Sequence, residues 1–192
     1  HLKPADTDGR HLVLRKLNNL EIDASGSTFI LEADLKPGFA FEECNNVIFR
    51  NATIINKYPP FSQGSITEIS EDRKSVVVQV HQGYRTTFKE GYHTPVLNFF
   101  DPESRKLKVA QEAYVKSVKE IAPQVLRFEL QRNVPNNIDL KDLVTFRRIE
   151  GIQTAIANCS DFKYINVTQK NSIGTGIMEV CGEGGNYYNY TL

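Results

Sequence analysis

Three carboxylates, Glu179, Glu183 and Asp161, have the residue type and spacing for acid–base chemistry. Glycoside hydrolysis uses two carboxylates, about 5 Å apart for retention and about 6.5–9.5 Å apart for inversion. Asp161 follows Cys159 by two residues, Glu183 follows Cys181 by two, and Asn46 follows Cys44 by two. If these segments stack, Asp161 and Glu183 fall on adjacent coils, where neighbouring carboxylates raise each other's pKa and can share a proton. Glu179 precedes Cys181 by two residues, as Glu42 precedes Cys44. The turn Gly182-Glu-Gly-Gly-Asn186 leaves little bulk beside Glu179 and Glu183, which suits close approach of a ligand or simply a tight turn. Asn186, Tyr187, Tyr58 and Phe61 are the candidate substrate contacts, because sugars lay their C–H faces on aromatic rings. The competing reading is exposed turn carboxylates and half-buried strand tyrosines. No spacing suggests a metal site, and no cofactor is expected. The cysteines have no histidine partner, since His81 and His93 fall outside the repeated segments.

A broken repeat must position these residues. Cys44-Asn-Asn-Val-Ile-Phe-Arg-Asn-Ala-Thr53, Cys159-Ser-Asp-Phe-Lys-Tyr-Ile-Asn-Val-Thr168 and the segment from Cys181 to Thr191 each carry aromatic-x-Asn-x-Thr. A fainter copy, Leu17-Asn-Asn-Leu-Glu-Ile22, comes 27 residues before the Cys44 copy. Apolar residues alternate within each copy, as a strand requires. A period of this length without helical patterning points to a solenoid, and the copies lack the regular leucines of a leucine-rich repeat. The expected fold is all-β, a right-handed parallel β-helix whose coils lie about 4.8 Å apart.

Cys44 and Cys159 are 115 residues apart, where one coil would suffice, so about 90 residues are inserted. The insert reads as antiparallel hairpins: Gly64–Ile69, a polar turn at Ser70–Lys74, Ser75–Val80, a turn at Asp101–Arg105, Gln124–Leu130 and Asp142–Phe146. Five or six such strands make a small barrel or sandwich, with one short helix expected near Ala110–Lys119. The expected organisation is residues 1–56 as N-terminal coils, 57–148 as an inserted antiparallel β-barrel and 149–192 as further coil.

The 192 residues carry 23 basic and 23 acidic side chains, which excludes the overall basic field of a nucleic-acid binder. No apolar run approaches the roughly 18 residues that span a bilayer. Charge is uneven, however: residues 103–148 hold ten Lys/Arg against six Asp/Glu. That is a solvated barrel surface or a basic wall facing an acidic glycan. Four Asn-x-Ser/Thr triplets, at Asn51, Asn158, Asn166 and Asn189, lean towards a secreted glycoprotein. Three of them share one repeat position, so Asn51, Asn166 and Asn189 are expected to stack as an amide ladder, leaving Asn158 as the independent glycosylation candidate. The three cysteines are expected to stack as inward thiols or to form one disulfide with one left over.

The run Asn46-Val-Ile-Phe-Arg-Asn-Ala-Thr-Ile54, followed by Pro59-Pro-Phe-Ser-Gln-Gly-Ser-Ile66, resembles the parallel β-helix proteins of the pectate-lyase-like superfamily. It is most similar to the inserted-barrel subgroup that includes α-1,3-galactosidases of bacterial glycan degraders. In that subgroup a coil ends near Pro-Phe-x-Gln-Gly and the chain builds a barrel. It returns through a segment like Asp142-Leu-Val-Thr-Phe-Arg-Arg148 to a coil with a Gly/Glu-rich turn, like Glu179–Asn186 here. The resemblance implies a glycan substrate and glycoside hydrolysis. The galactosidases carry a neighbouring Asp pair beyond the barrel, and this sequence has none, so those residues are not carried over.

The expected function is therefore part of a secreted carbohydrate-active protein, a glycoside hydrolase using paired carboxylates. The alternatives are a non-catalytic glycan- or protein-binding module and a polysaccharide lyase. The expected partner is a polysaccharide or glycan, with no nucleic acid and no membrane. Because the sequence stops at Leu192 within a repeat, further coils or another chain are expected to stack on that end.

Overall fold

The computed structural model describes residues 9–89, 92, 96–108 and 113–192. His1, His93 and the first part of the expected helix lie outside the described residues. The described residues form fourteen strands and no helix: β1 (Leu12–Arg15), β2 (Asn18–Leu31), β3 (Phe39–Glu42), β4 (Asn45–Asn56), β5 (Phe61–Ile69), β6 (Ser75–Val80), β7 (Val96–Phe100), β8 (Ala113–Ala122), β9 (Val125–Leu130), β10 (Leu143–Arg147), β11 (Ile152–Ala157), β12 (Lys163–Lys170), β13 (Thr175–Val180) and β14 (Asn186–Tyr188). The chain is all-β and divides into two compact units, residues 1–60 with 150–192, and residues 61–149.

The first unit is two parallel sheets, ordered β1-β3-β11-β13 and β2-β4-β12-β14. Both sheets stack in the same chain order, so each strand pair forms one layer. The offsets between layers follow from the pairing, with Ala40 opposite Ala155, Ala155 opposite Met178 and Phe49 opposite Tyr164. The aromatic-x-Asn motif has a backbone reason. In β4, Val47 and Phe49 are buried before Asn51, and Ala52, Ile54 and Asn56 after it. The side-chain alternation changes phase at Asn51, which has φ 57°. Asn166 (φ 52°) makes the same change in β12, and Asn189 has φ 49°. Asparagine tolerates this left-handed conformation better than most residues, which explains its place at each corner. Two more rows of left-handed residues repeat from layer to layer: Lys16, Glu43, Asn158 and Cys181, then Asn19, Asn46, Asp161 and Gly184.

Rings fill the interior of this unit. Phe49 lies 5.5 Å from both Phe41 and Tyr164, and Phe41 lies 4.8 Å from Phe162. Cys44 and Cys159 are buried free thiols on adjacent layers, with the Cys44 N–H 3.4 Å from the Cys159 sulfur. Burial pushes the Cys159 thiol pKa up, so it packs as a small neutral group. Cys181 does not join them. The layers repeat every 23 residues here, as Ser160 pairs with Glu183, whereas Cys159 and Cys181 are 22 apart. Cys181 therefore takes the exposed corner position of Asn158 and is itself exposed.

The second unit is a closed antiparallel barrel, ordered β10-β5-β6-β9-β8-β7. Alternation decides its core: Ile66, Val76, Val78, Leu97, Phe99, Leu126, Phe128, Val144 and Phe146 point inward. The expected helix near Ala110–Lys119 is corrected. From Ala113 the chain is β8, hydrogen-bonded to β9 through the tight connection at Pro123–Gln124. Barrel closure needs a strand between β7 and β9, and tertiary pairing overrides a weak helical preference. Beside the barrel, Lys108 places its ammonium 2.8 and 2.9 Å from the two carboxylate oxygens of buried Asp142.

Candidate functional site

Register sends the candidate carboxylates to different places. Glu179 pairs with Ile156, and Ile156 with Phe41, so its side chain takes an inward position that earlier layers fill with apolar groups. The expected alignment of Glu179 with Glu42 is corrected, because Glu42 lies in the row of Ala157 and Val180. The inward carboxylate needs room. A Cβ on Gly182 or Gly185 would collide with the Glu179 carboxyl group, so the glycine-rich turn is what admits it.

Tyr187 donates its hydroxyl to Glu179 Oε2 at 2.6 Å. Burial, and next the Glu179 hydrogen bond, push the Tyr187 pKa up, so the phenol remains a donor. Thr175, Gly176, Ile177, Tyr190 and Leu192 complete the lining of an open pocket of about 400 Å³ around this pair. Burial likewise raises the pKa of Tyr190, whose hydroxyl reaches Gln169 Oε1 at 3.3 Å. Gly176 and Leu192 enter the site only through this packing and have no motif in the sequence.

Asp161 and Glu183 are exposed on the turn outside this pocket. Their expected side-by-side stacking is corrected: Glu183 pairs with Ser160, and Asp161 lies against Gly184. The structure joins them only through the backbone, where the Asp161 N–H donates to the Glu183 carbonyl at 2.9 Å. Asn186 is engaged locally, donating to the Gly184 carbonyl and accepting from the Tyr188 hydroxyl. Lys57 lies 5.6 Å from the Tyr58 ring centre, and Phe61 packs at 6.0 Å on Tyr84. Tyr58 and Phe61 belong to different units.

The asparagines form a continuous chain of amides. Asn189 donates to Asn166 at 2.9 Å, Asn166 to Asn51 at 3.1 Å, and Asn51 to Asp23 at 3.0 Å. Hydrogen bonds from Asn51 and Ser25 pull the Asp23 pKa down to about 2, so the row ends on a carboxylate. Asn158 is exposed at its own corner, outside this row. Among the described residues, no group of three His, Cys, Asp or Glu side chains is placed to hold a metal.

No protein-family model matches the chain. Over 102 residues it is 28% identical to Alpha-1,3-galactosidase B of Bacteroides thetaiotaomicron, a match covering 48% of this chain and 16% of that protein. Over 78 residues it is 30% identical to Alpha-1,3-galactosidase A of the same organism, covering 41% of this chain and 13% of that protein. The chain thus spans under a fifth of the length of these curated relatives. The likeness is partial and distant, and it is to carbohydrate-active proteins.

Proposed function

We propose that the chain is part of a secreted carbohydrate-active protein that hydrolyses a galactose-containing glycan. In this reading the first unit is a right-handed parallel β-helix and the second a barrel inserted into it. The common stacking order of the two parallel sheets and the repeated left-handed corners support that architecture. One observation carries the functional reading: Glu179 occupies a position that Phe41 and Ile156 fill with core, yet it faces an open, tyrosine-lined pocket. A carboxyl group with a fixed phenol donor and aromatic walls is equipped to exchange a proton with a glycosidic oxygen.

Asp161 and Glu183 have a lesser place in this proposal, because both are exposed and out of register. A single carboxylate in the pocket lining favours a second reading, a glycan-binding module without turnover. The lyase reading draws no support from the pocket, whose lining contains no Lys or Arg.

The test is incubation of the protein with a panel of α-galactosides, with products separated by chromatography. Glu179→Gln is expected to cut turnover by about 100-fold or more, with Glu183→Gln and Asp161→Asn changing it far less. Unchanged turnover in Glu179→Gln removes the assignment. Retention of a glycan with no product selects the binding module.

A further inference from the structure

We infer that the outer face of the barrel carries a carbohydrate site of its own, shaped for one pyranose ring that bears a carboxylate. Strand alternation builds it. Buried residues of β5, β7 and β10 point inward, and the residues between them point outward. Gln63 is directly opposite Thr145, Ser65 is opposite Leu143, and Leu143 is opposite Phe100. Gln63, Phe100, Leu143 and Thr145, with His81 and Arg105, line a pocket of about 180 Å³. That volume accommodates a single sugar ring.

The chemistry of the lining selects the ligand. His81 is held in place twice, by its ring Nε2 at 2.9 Å from Ser65 Oγ and by its backbone N–H donating to the Gln63 carbonyl. By contrast, the Gln63 amide, the Thr145 hydroxyl and the Arg105 guanidinium have no hydrogen-bond or ion-pair partner among the described residues. An amide and a hydroxyl both donate and accept, which matches the vicinal hydroxyls of a sugar. Phe100 and Leu143 supply an apolar wall for its C–H face. Among the described residues of the lining Arg105 is the one Lys, Arg, Asp or Glu side chain, and its fork of donors fits a carboxylate in bidentate fashion. The turn carboxylate Asp101 is engaged within its own turn, its Oδ1 accepting from the Glu103 and Ser104 N–H groups and from Ser104 Oγ. The excess of basic residues over 103–148 thus acquires a local use at Arg105.

This inference does not rest on Glu179, and its test separates the two. Isothermal titration of the protein with methyl galacturonide, methyl galactoside and acetate reads sugar and charge separately. The uronide is expected to bind about tenfold or more tighter than either of the others. Arg105→Gln, an exposed turn substitution, is expected to reduce uronide affinity to that of the neutral galactoside. Gln63→Ala and Thr145→Val should weaken both sugars, while Glu179→Gln should leave uronide binding unchanged. Circular dichroism of each variant reports its fold. Absence of saturable uronide binding, acetate binding as tightly as the uronide, or an unaltered uronide affinity in folded Arg105→Gln would each overturn the proposal.

Discussion

The two units bury their apolar residues by opposite strategies. The barrel hydrogen-bonds each of its six strands on both sides, and its core rows differ from strand to strand. The stacked unit pairs parallel strands in layers, and the ring position of Phe49, Tyr164 and Tyr187 and the amide of Asn51, Asn166 and Asn189 recur in three successive layers. The difference changes how a functional residue is recognised. In the barrel a polar pocket must be found by which outward side chains converge. In the stacked unit a residue that breaks its row declares itself, as Glu179 does after Phe41 and Ile156.

Large-to-small core substitutions apply the strongest pressure to that comparison. Phe49 packs near the rings of Phe29, Phe39, Phe41 and Tyr164, which belong to three other strands. Phe49→Ala is expected to cost about 3–5 kcal/mol in urea denaturation. Phe146→Ala in the barrel, where Phe88 and Phe128 are the ring neighbours, falls in the same range. A cost below about 1 kcal/mol for Phe49→Ala would mean that the aromatic stack does not hold the layers.

The amide row gives a smaller and more discriminating effect. Asn166→Ala removes a donor and an acceptor and puts alanine, which tolerates the left-handed region less well than asparagine, at φ 52°. About 2 kcal/mol is expected, roughly half from the backbone and half from the hydrogen bonds. Asn166→Gly relieves only the backbone part and should cost about 1 kcal/mol. Equal costs for the two variants would show that the amide alone matters.

Protonation separates the units most gently. His11 is buried, its Nδ1 2.9 Å from the Pro37 carbonyl and its Nε2 accepting the Ala33 N–H. Burial holds its pKa below 6.5, so the unfolded chain binds the proton more readily. Its contribution is present above pH 6.5 and declines as the pH falls below it, by at most about 1.4 kcal/mol per pH unit. Lys108 in the barrel has the opposite sign. The Asp142 hydrogen bonds raise its pKa above 10.5, so its contribution holds at neutral pH and is lost as the pH rises through that higher value. Thermal melts from pH 5 to 11 should show His11→Gln flattening the acid limb and Asp142→Asn flattening the alkaline limb. Unaltered limbs would remove both assignments.

Much of the architecture was legible because it is local. The hairpin from β5 to β6 announces itself through two alternating runs around Ser70–Lys74, and the ladder through Asn51, Asn166 and Asn189 at one repeat position. The site was harder to read. Aligning the copies on cysteine gives a spacing of 22, but the strands pair at 23, and one residue of slip exchanges the two faces of a strand. That slip exposes Cys181, turns Glu179 inward and separates Asp161 from Glu183. The barrel pocket had no linear signature at all, since Gln63, Arg105 and Thr145 meet only when the barrel closes.

The amino-acid sequence by itself determined the strand alternation, the left-handed corners and the polar turns, because each depends on the stereochemistry of neighbouring residues. Tertiary structure alone decided the register between layers and the closure of the barrel. Register is fixed by whole ladders of backbone hydrogen bonds and the packing of every ring in a row, so a single conspicuous side chain such as Cys181 does not set it.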